Sequence, residues 1–183
     1  MSAAERYTSL IRAAKGGVSE GFDTHVVAHA VAREASGDVA ALVQYWGLEP
    51  VELAPALSEV FPALTEVFAG LQALTVAPGV APTERRLREL LKRHASGGSV
   101  SQLLVALVAR GVLRPLPLWR ELGLCNQAEL SGLMRRHFSA LAARNVDDIG
   151  WKAFLNGILQ REDGVLRCAA AACDDDAPLA AGF

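Results

Sequence analysis

The sequence predicts an all-α protein, a single-domain helical bundle built from two related helical modules. Hydrophobic residues make up 51% of the chain, but aromatic residues only 6%. This balance, rich in alanine, leucine and valine, suits packed helices better than sheets, whose strands favour β-branched and aromatic side chains. A chain of 183 residues can bury about 70% of its unfolded surface, and no linker divides it into two cores. We therefore expect one domain.

In the first half, helices are predicted where apolar residues recur at intervals of three or four positions. Asp23 is interpreted as the cap of the helix that carries His25, with a role as an additional metal ligand as the alternative. Gly47-Leu48 is interpreted as a turn between helices. An irregular loop is predicted from Leu74 to Pro82, where proline and glycine interrupt the pattern. The helices predicted in this half cover residues 3–15, 21–36, 38–46, 50–61 and 62–73.

In the second half, Thr83 is predicted to cap a helix that buries three leucines. The adjacent glycines at 97 and 98 end it, because they make continuation of a helix costly. Pro115 and Pro117 straddle the start of a short helix, where proline is tolerated. The five basic residues of the first of these helices are predicted to face water: Arg85, Arg86, Arg88, Lys92 and Arg93. The helices predicted here cover residues 83–95, 99–112, 115–122, 127–138 and 147–162.

The chain resembles itself when it is shifted by about 77 positions. This repeat predicts two modules, residues 21–73 and 99–162, inside one domain that covers residues 1–166. Residues 167–183 are predicted to form a flexible tail. Chance similarity between two leucine- and alanine-rich amphipathic helices is the alternative. The matching segments are Val31-Ala32-Arg33 with Val108-Ala109-Arg110, Gly47-Leu48 with Gly123-Leu124, and Glu52 to Leu64 with Glu129 to Leu141.

Composition argues against several classes of function. The net charge is −2, so no global field attracts nucleic acid or an anionic membrane, and neither is an expected partner. No apolar run reaches the roughly 18 residues that span a bilayer, and Met1 to Arg6 lack a signal-peptide pattern. With 3 cysteines, an odd number, we expect a cytoplasmic protein without a disulfide scaffold. No phosphate loop, dinucleotide fingerprint or nucleophile elbow is present, so no enzyme is expected.

The most informative segment is the C-terminal end, which contains two cysteines separated by four alanines. Cys168 and Cys173 are followed by three consecutive aspartates, Asp174 to Asp176, and the chain closes on Gly182-Phe183. Soft thiolates suit iron–sulfur centres, usually in sets of four. In a helix, residues five apart lie about 7.5 Å apart along the axis and about 140° apart around it. The two cysteines therefore converge on one metal only if this segment is not helical.

This ending resembles that of the NifQ family, which supplies molybdenum for assembly of the nitrogenase iron–molybdenum cofactor. The family ends in Cys-x4-Cys-x2-Cys-x5-Cys-Phe. Laid on this chain, that pattern falls on Cys168, Cys173, Asp176 and Gly182, with Phe183 in the aromatic place. Further matching segments are Arg114-Pro115, Leu118-Trp119, Leu122-Gly123-Leu124, Glu129-Leu130-Ser131, His137-Phe138 and Trp151-Lys152-x-Phe154.

The resemblance implies a metal-handling protein that is not an enzyme. It also implies a molybdenum–iron–sulfur cluster as cofactor, bound through Cys168 and Cys173 with Asp176 as an oxygen ligand, and nitrogenase cofactor assembly proteins as partners. Because two of the four cysteines are absent, two further hypotheses are open. Two chains could share one cluster in a homodimer, each giving two cysteines. A divergent member without metal could instead act as a helical protein-interaction or regulatory module.

Three other features have both a functional and a structural interpretation. His25 and His29 lie one helical turn apart and could bind one metal ion, but a structural role is the simpler interpretation. Cys125 is predicted to be a small packing residue rather than a ligand. Residues 118–138 have the outline of a DNA-binding helix-turn-helix, for which two core helices are the alternative.

Overall fold

A computed structural model describes residues 2–14, 18–34, 39–74, 78–147 and 149–174, with the backbone alone at 18–20, 39 and 164–174. In these ranges the chain is helical and contains no strand, which confirms the predicted all-α class. Two 3₁₀ turns, Pro62–Leu64 and Gly70–Ala73, flank α5. The helices are α1 Ala3–Ala13, α2 Val18–Glu34, α3 Val39–Trp46, α4 Pro50–Val60, α5 Thr65–Ala69, α6 Pro82–Arg93, α7 Ser99–Leu113, α8 Leu118–Glu121, α9 Gln127–His137, α10 Ser139–Arg144 and α11 Trp151–Asp174.

Helix α7 is enclosed by the other helices. Every residue from Leu103 to Ala109 is buried, so for almost two turns the helix has no solvent-facing side, as expected of a helix that is apolar all round. It packs against α2, α3, α4, α6 and α11. Within the described ranges, no helix combines the length and apolar character that crossing a bilayer requires.

A buried ionic network joins α3, α6 and α7. Glu84 and Arg88 are 5% and 7% exposed, and an Arg88 nitrogen lies 2.5 Å from a Glu84 carboxylate oxygen. Arg110 of α7 donates to the same carboxylate at 3.3 Å. The prediction that Arg88 faces water is therefore wrong, because this side chain points into the bundle, where Glu84 offsets its charge.

The two arginines bind the C-terminal end of α3. Arg88 donates to the carbonyl oxygens of Trp46 at 2.6 Å and Gly47 at 2.7 Å, and Arg110 donates to that of Gln44 at 2.5 Å. The last carbonyls of a helix have no partner inside the helix and carry partial negative charge. Gly47 has a φ of +56°, and a Cβ there would lie 2.6 Å from an Arg88 nitrogen. The predicted turn at Gly47 thus requires glycine both because its φ is positive and because Arg88 lies where a Cβ would be.

Local structure recurs at the positions that the sequence repeat matches. Gly47 and Gly123 both have positive φ. Phe61 and Phe138 both follow the last residue of a helix, are fully buried, and have similar backbone angles of −125°, 71° and −137°, 50°. In both cases one aromatic side chain closes the core where the helix ends.

Several predicted boundaries differ from the structure. Thr83 does not cap α6, because the helix begins one residue earlier at Pro82, with Ala81 as N-cap; proline suits the first helical position since its missing N–H would be unpaired there. The helix predicted over 62–73 is divided between α5 and two 3₁₀ turns, the one predicted over 115–122 is the single turn α8, and α10 was not predicted. The last helix begins at Trp151 and continues to Asp174. Of the predicted loop, Leu74 and 78–81 are non-helical, and 75–77 lie outside the described residues.

We expect Arg88→Ala to lower the free energy of unfolding by about 3 kcal/mol, because it leaves a buried carboxylate with one partner and uncaps α3. Urea denaturation followed by circular dichroism measures this. Arg85→Ala, an exposed position on the same helix, is the matched control and should change stability by less than about 0.5 kcal/mol. Equal effects of the two substitutions would show that the network does not stabilise the fold.

Candidate functional site

Helix α11 carries the two cysteines of the candidate metal site. Its first half packs into the core through Phe154, Leu155, Ile158 and Leu159, all at most 7% exposed. Trp151 is also buried, and its indole Nε1 donates to the Ser131 hydroxyl at 3.1 Å. The matching Trp151 and Phe154 positions thus have a packing role, which fixes the helix on the bundle before the cysteines are reached.

Two ion pairs bind α11 to α6 just before the cysteine-bearing turns. Arg86 lies 2.5 Å from Asp163, and Arg93 lies 2.9 Å from Glu162. These side chains are between 37% and 58% exposed, so each pair adds little to stability. They connect the exposed side of α6 to the part of α11 that lies just before the cysteines.

The two cysteine positions lie on a continuous helical backbone, since α11 extends to Asp174. Five residues on a helix correspond to about 7.5 Å along the axis and about 140° around it. With this backbone, positions 168 and 173 do not converge on a single metal ion. The structure does not describe the side chains of Cys168 and Cys173, or residues 175–183 of the predicted tail, which include Asp176. The role of these three residues as metal ligands therefore remains a prediction. Where side chains are described, no three His, Cys, Asp or Glu residues are grouped to hold a metal.

His25 links the N-terminal helix to the turn after α8. Its Nε2 lies 2.8 Å from the carbonyl oxygen of Gly123, which can only accept, so Nε2 carries a proton. Its Nδ1 shares a hydrogen bond of 2.7 Å with the Tyr7 hydroxyl. A metal ion at either ring nitrogen would replace one of these two hydrogen bonds. A metal-ligand role for His25 therefore remains a prediction, and it requires the loss of that hydrogen bond.

His29 packs on the same turn. The His25 and His29 ring centroids are 6.4 Å apart, so the structure brings this predicted pair together. Gly123 lies directly against the His29 ring: its φ is +73°, and a Cβ there would be 2.4 Å from Cγ of His29. Among the described residues, none gives the buried Nδ1 of His29 a hydrogen bond. Burial lowers the pKa of His29 below 6.5, and the neighbouring His25 adds to the effect.

Asp23 does not cap a helix, because α2 begins at Val18 and Asp23 lies inside it. Its carboxylate instead accepts from Arg136 at 2.6 Å and lies 3.0 Å from Nε2 of His137, a contact poorly aligned for a hydrogen bond. Nδ1 of His137 is 3.1 Å from the Ser101 hydroxyl. This Asp–His–Ser order resembles a hydrolase triad, but Ser101 is only 2% exposed. The three side chains thus join α2, α7 and α9.

Cys125 is exposed, so its predicted packing role is wrong: the residue lies in the turn that precedes α9. Its backbone N–H donates to the Glu129 carboxylate at 2.8 Å, and the Asn126 side chain accepts from the Glu129 N–H at 2.9 Å. Asn126 and Glu129, two of the polar side chains at the start of the second helix of the possible helix-turn-helix, are therefore engaged in capping α9.

We expect Gly123→Ala to lower the free energy of unfolding by at least about 2 kcal/mol, because alanine is strained at positive φ and its Cβ overlaps the His29 ring. Chemical denaturation measures the loss. Gly132→Ala on α9 is the control: nothing lies within 4 Å of a Cβ there, and alanine should stabilise the helix by about 0.5–1 kcal/mol. A neutral Gly123→Ala would contradict this account of the turn.

The lowered pKa of His29 predicts a pH dependence of stability. The unfolded chain protonates His29 near its ordinary pKa of 6.5, whereas the folded protein does so only at lower pH. The unfolded state thus binds more protons, and stability falls as the pH decreases from about 7 to 5. His29→Gln should make the dependence shallower in this window and leave it unchanged above it. Urea midpoints at each pH test this, and parallel curves for the two proteins would refute it.

A family model described as NifQ matches residues 25–183. A protein NifQ homolog from Sinorhizobium fredii is 38% identical over 157 residues, which cover 83% of this chain and 67% of that protein. Protein NifQ from Azotobacter vinelandii is 36% identical over 89 residues, covering 48% of this chain and 46% of the relative. Protein NifQ from Rhodobacter capsulatus is 28% identical over 107 residues, covering 58% and 59%.

The alignments thus span about half to two thirds of the length of these relatives. No solved structure matches the chain. The family match extends over both the helical core and the cysteine-bearing end, and it supports a role in nitrogen fixation. By this match and by its similarity to the Sinorhizobium protein, the chain belongs to the NifQ family.

Proposed function

We propose that this protein takes part in delivering molybdenum for biosynthesis of the nitrogenase iron–molybdenum cofactor. The observation that carries the proposal is the extent of the family match, which continues to residue 183 and includes Cys168 and Cys173. Thiolates are the ligands that molybdenum–iron–sulfur centres require. The partners in this proposal are the proteins that assemble the nitrogenase cofactor.

The number of thiols favours a cluster that two chains share. One chain offers two cysteines in this segment, and because positions five apart on a helix do not converge on one metal, binding through both of them requires the end of α11 to unwind. Two copies would together supply four thiolates, the usual number for such a centre. Asp176 is an additional oxygen ligand in this arrangement. The same geometry predicts that metal binding and dimer formation occur together.

The test is metal analysis of protein purified without oxygen from cells supplied with molybdate. Iron, molybdenum and acid-labile sulfide should co-purify with the protein, and the sample should absorb visible light through thiolate-to-iron charge transfer. Cys168→Ser and Cys173→Ser should each abolish metal binding, because each substitution removes a thiolate ligand of the cluster. Cys125→Ser is the matched control, since this exposed cysteine lies outside the motif. Light scattering should show that the loaded protein is a dimer and the variants are monomers.

A different observation favours a second function: the described residues form a hydrophobic core that does not depend on Cys168 or Cys173. The described helices bury a continuous set of apolar side chains that extends to Leu159. A family member with half the ligands could therefore remain folded and act as a helical interaction or regulatory module. Colourless protein without iron or molybdenum, and unchanged in stability after chelation, would support this second function and refute molybdenum delivery by this chain.

A further inference from the structure

A groove of about 270 Å³ lies where the first turn of α11 meets the segment around α8. Its lining is mostly apolar and includes Pro117, Leu118, Trp119, Leu130, Trp151 and Ala153. The polar side chains that line it are those of Gln127 and Lys152. The cysteines lie at the opposite end of α11, so the groove is separate from the candidate metal site.

Exposed apolar side chains concentrate beside this groove. The Lys152 ammonium donates to the backbone carbonyls of Arg114 and Leu116, which holds the segment after α7 against the start of α11. On the other side, the segment that ends at Gly150 leads directly into the groove. Among the described residues, four of the seven large apolar side chains that are exposed lie at the end of α7 or in these two flanking segments: Leu113 at 44%, Leu116 at 45%, Val146 at 85% and Ile149 at 46%.

The groove also carries positive charge. The guanidinium of Arg120 lies 4.9 Å from the centre of the ring of Trp119, a lining residue of the groove, in a cation–π contact. In the part of the chain that the structure describes, neither Arg120 nor Lys152 has a carboxylate within ion-pair distance. Glu121, the carboxylate next in sequence to Arg120, is buried and bound to Arg33 at 3.1 Å.

These features favour one class of ligand for the groove. A volume of about 270 Å³ is below the roughly 300–1,000 Å³ of sites that enclose small molecules, and it suits one or two side chains of a peptide. Nucleic acid requires a row of cations along the phosphates, whereas this rim provides Arg120 and Lys152. An apolar floor with unpaired cations at its edge is instead complementary to an apolar side chain flanked by carboxylates.

We propose that this groove docks an acidic segment of a partner protein, with a large apolar side chain over Trp151 and beside Trp119, and with carboxylates on Arg120 and Lys152. The inference is independent of the cysteines and of metal. Docking here leaves the far end of α11 free.

The binding test uses the full chain and short synthetic peptides labelled with fluorescein. The probe carries two leucines one helical turn apart among glutamates. One control peptide has lysine in place of glutamate, and another has serine in place of leucine. The acidic leucine peptide should bind, and each control should bind at least about tenfold more weakly by fluorescence anisotropy. Failure of the acidic peptide to bind, or equal binding of the lysine peptide, would overturn the proposal.

Substitutions then locate the binding surface. Ala153 is exposed and lines the groove near the N-terminus of α11, where glutamate is compatible with the helix dipole. Ala153→Glu should weaken binding about tenfold through repulsion, and Ala153→Gln, its steric match, should weaken it less. Arg120→Gln should weaken it about threefold, whereas Arg85→Gln on α6 should not.

Circular dichroism should show that the four variants remain folded. Binding unaffected by both Ala153→Glu and Arg120→Gln would place the peptide elsewhere and refute the docking groove. Displacement of the peptide by single-stranded DNA at equal concentration would refute the protein partner as well. If the protein contains no metal but still binds the peptide, the result would count against molybdenum delivery and not against the docking groove.

Discussion

The buried carboxylate of Glu84 is the constraint on which the arrangement of the bundle depends. An isolated charge in an apolar core is strongly unfavourable, and Arg88 and Arg110 offset it from two helices. The same guanidiniums bind the terminal carbonyls of α3, so α3, α6 and α7 are fixed relative to one another. The opposite, partly exposed side of α6 then carries Arg86 and Arg93, which form ion pairs with α11. Core packing of its first half positions the cysteine-bearing helix, and these two exposed ion pairs add contacts to α6.

A second set of contacts joins the beginning of the chain to its middle. His25 binds both Tyr7 and the Gly123 carbonyl, while His29 packs on Gly123 itself. The spacing that makes a histidine pair attractive as a metal site also places two flat, polar rings on one face of a helix. In this protein the tight turn at Gly123 packs against that face of the helix. Because glycine has no side chain, the His29 ring can lie directly against it.

The packed part of α11 and the proposed metal site are separate along the helix. Its first three turns are anchored by apolar residues and by the Trp151 hydrogen bond, whereas the cysteine positions come after the residues that form ion pairs with α6. From Lys152 to Cys168 the helix rises roughly 24 Å, so a partner at the groove and a cluster at the cysteines would occupy different ends of one rigid element. Loss of ligands at one end therefore has no direct consequence for packing at the other. This separation explains how a chain of the NifQ family can keep its core with two of four motif cysteines.

The sequence by itself determined the all-α class, most helices, the glycine break at 97–98, the turns at Gly47 and Gly123, and the family, because periodicity, turn chemistry and motif spacing are local properties. Tertiary structure alone decided that Arg88 is buried, that Asp23 binds Arg136 instead of capping a helix, and that Cys125 faces solvent. For Arg88 and Asp23, partners outside their own helix are distant in sequence: Arg88 and Gly47 are 41 residues apart, and Asp23 and Arg136 are 113 apart. A helical pattern specifies which side of a helix is apolar, but whether a charged side chain on that helix is buried also depends on the charges and carbonyl groups that other helices place beside it.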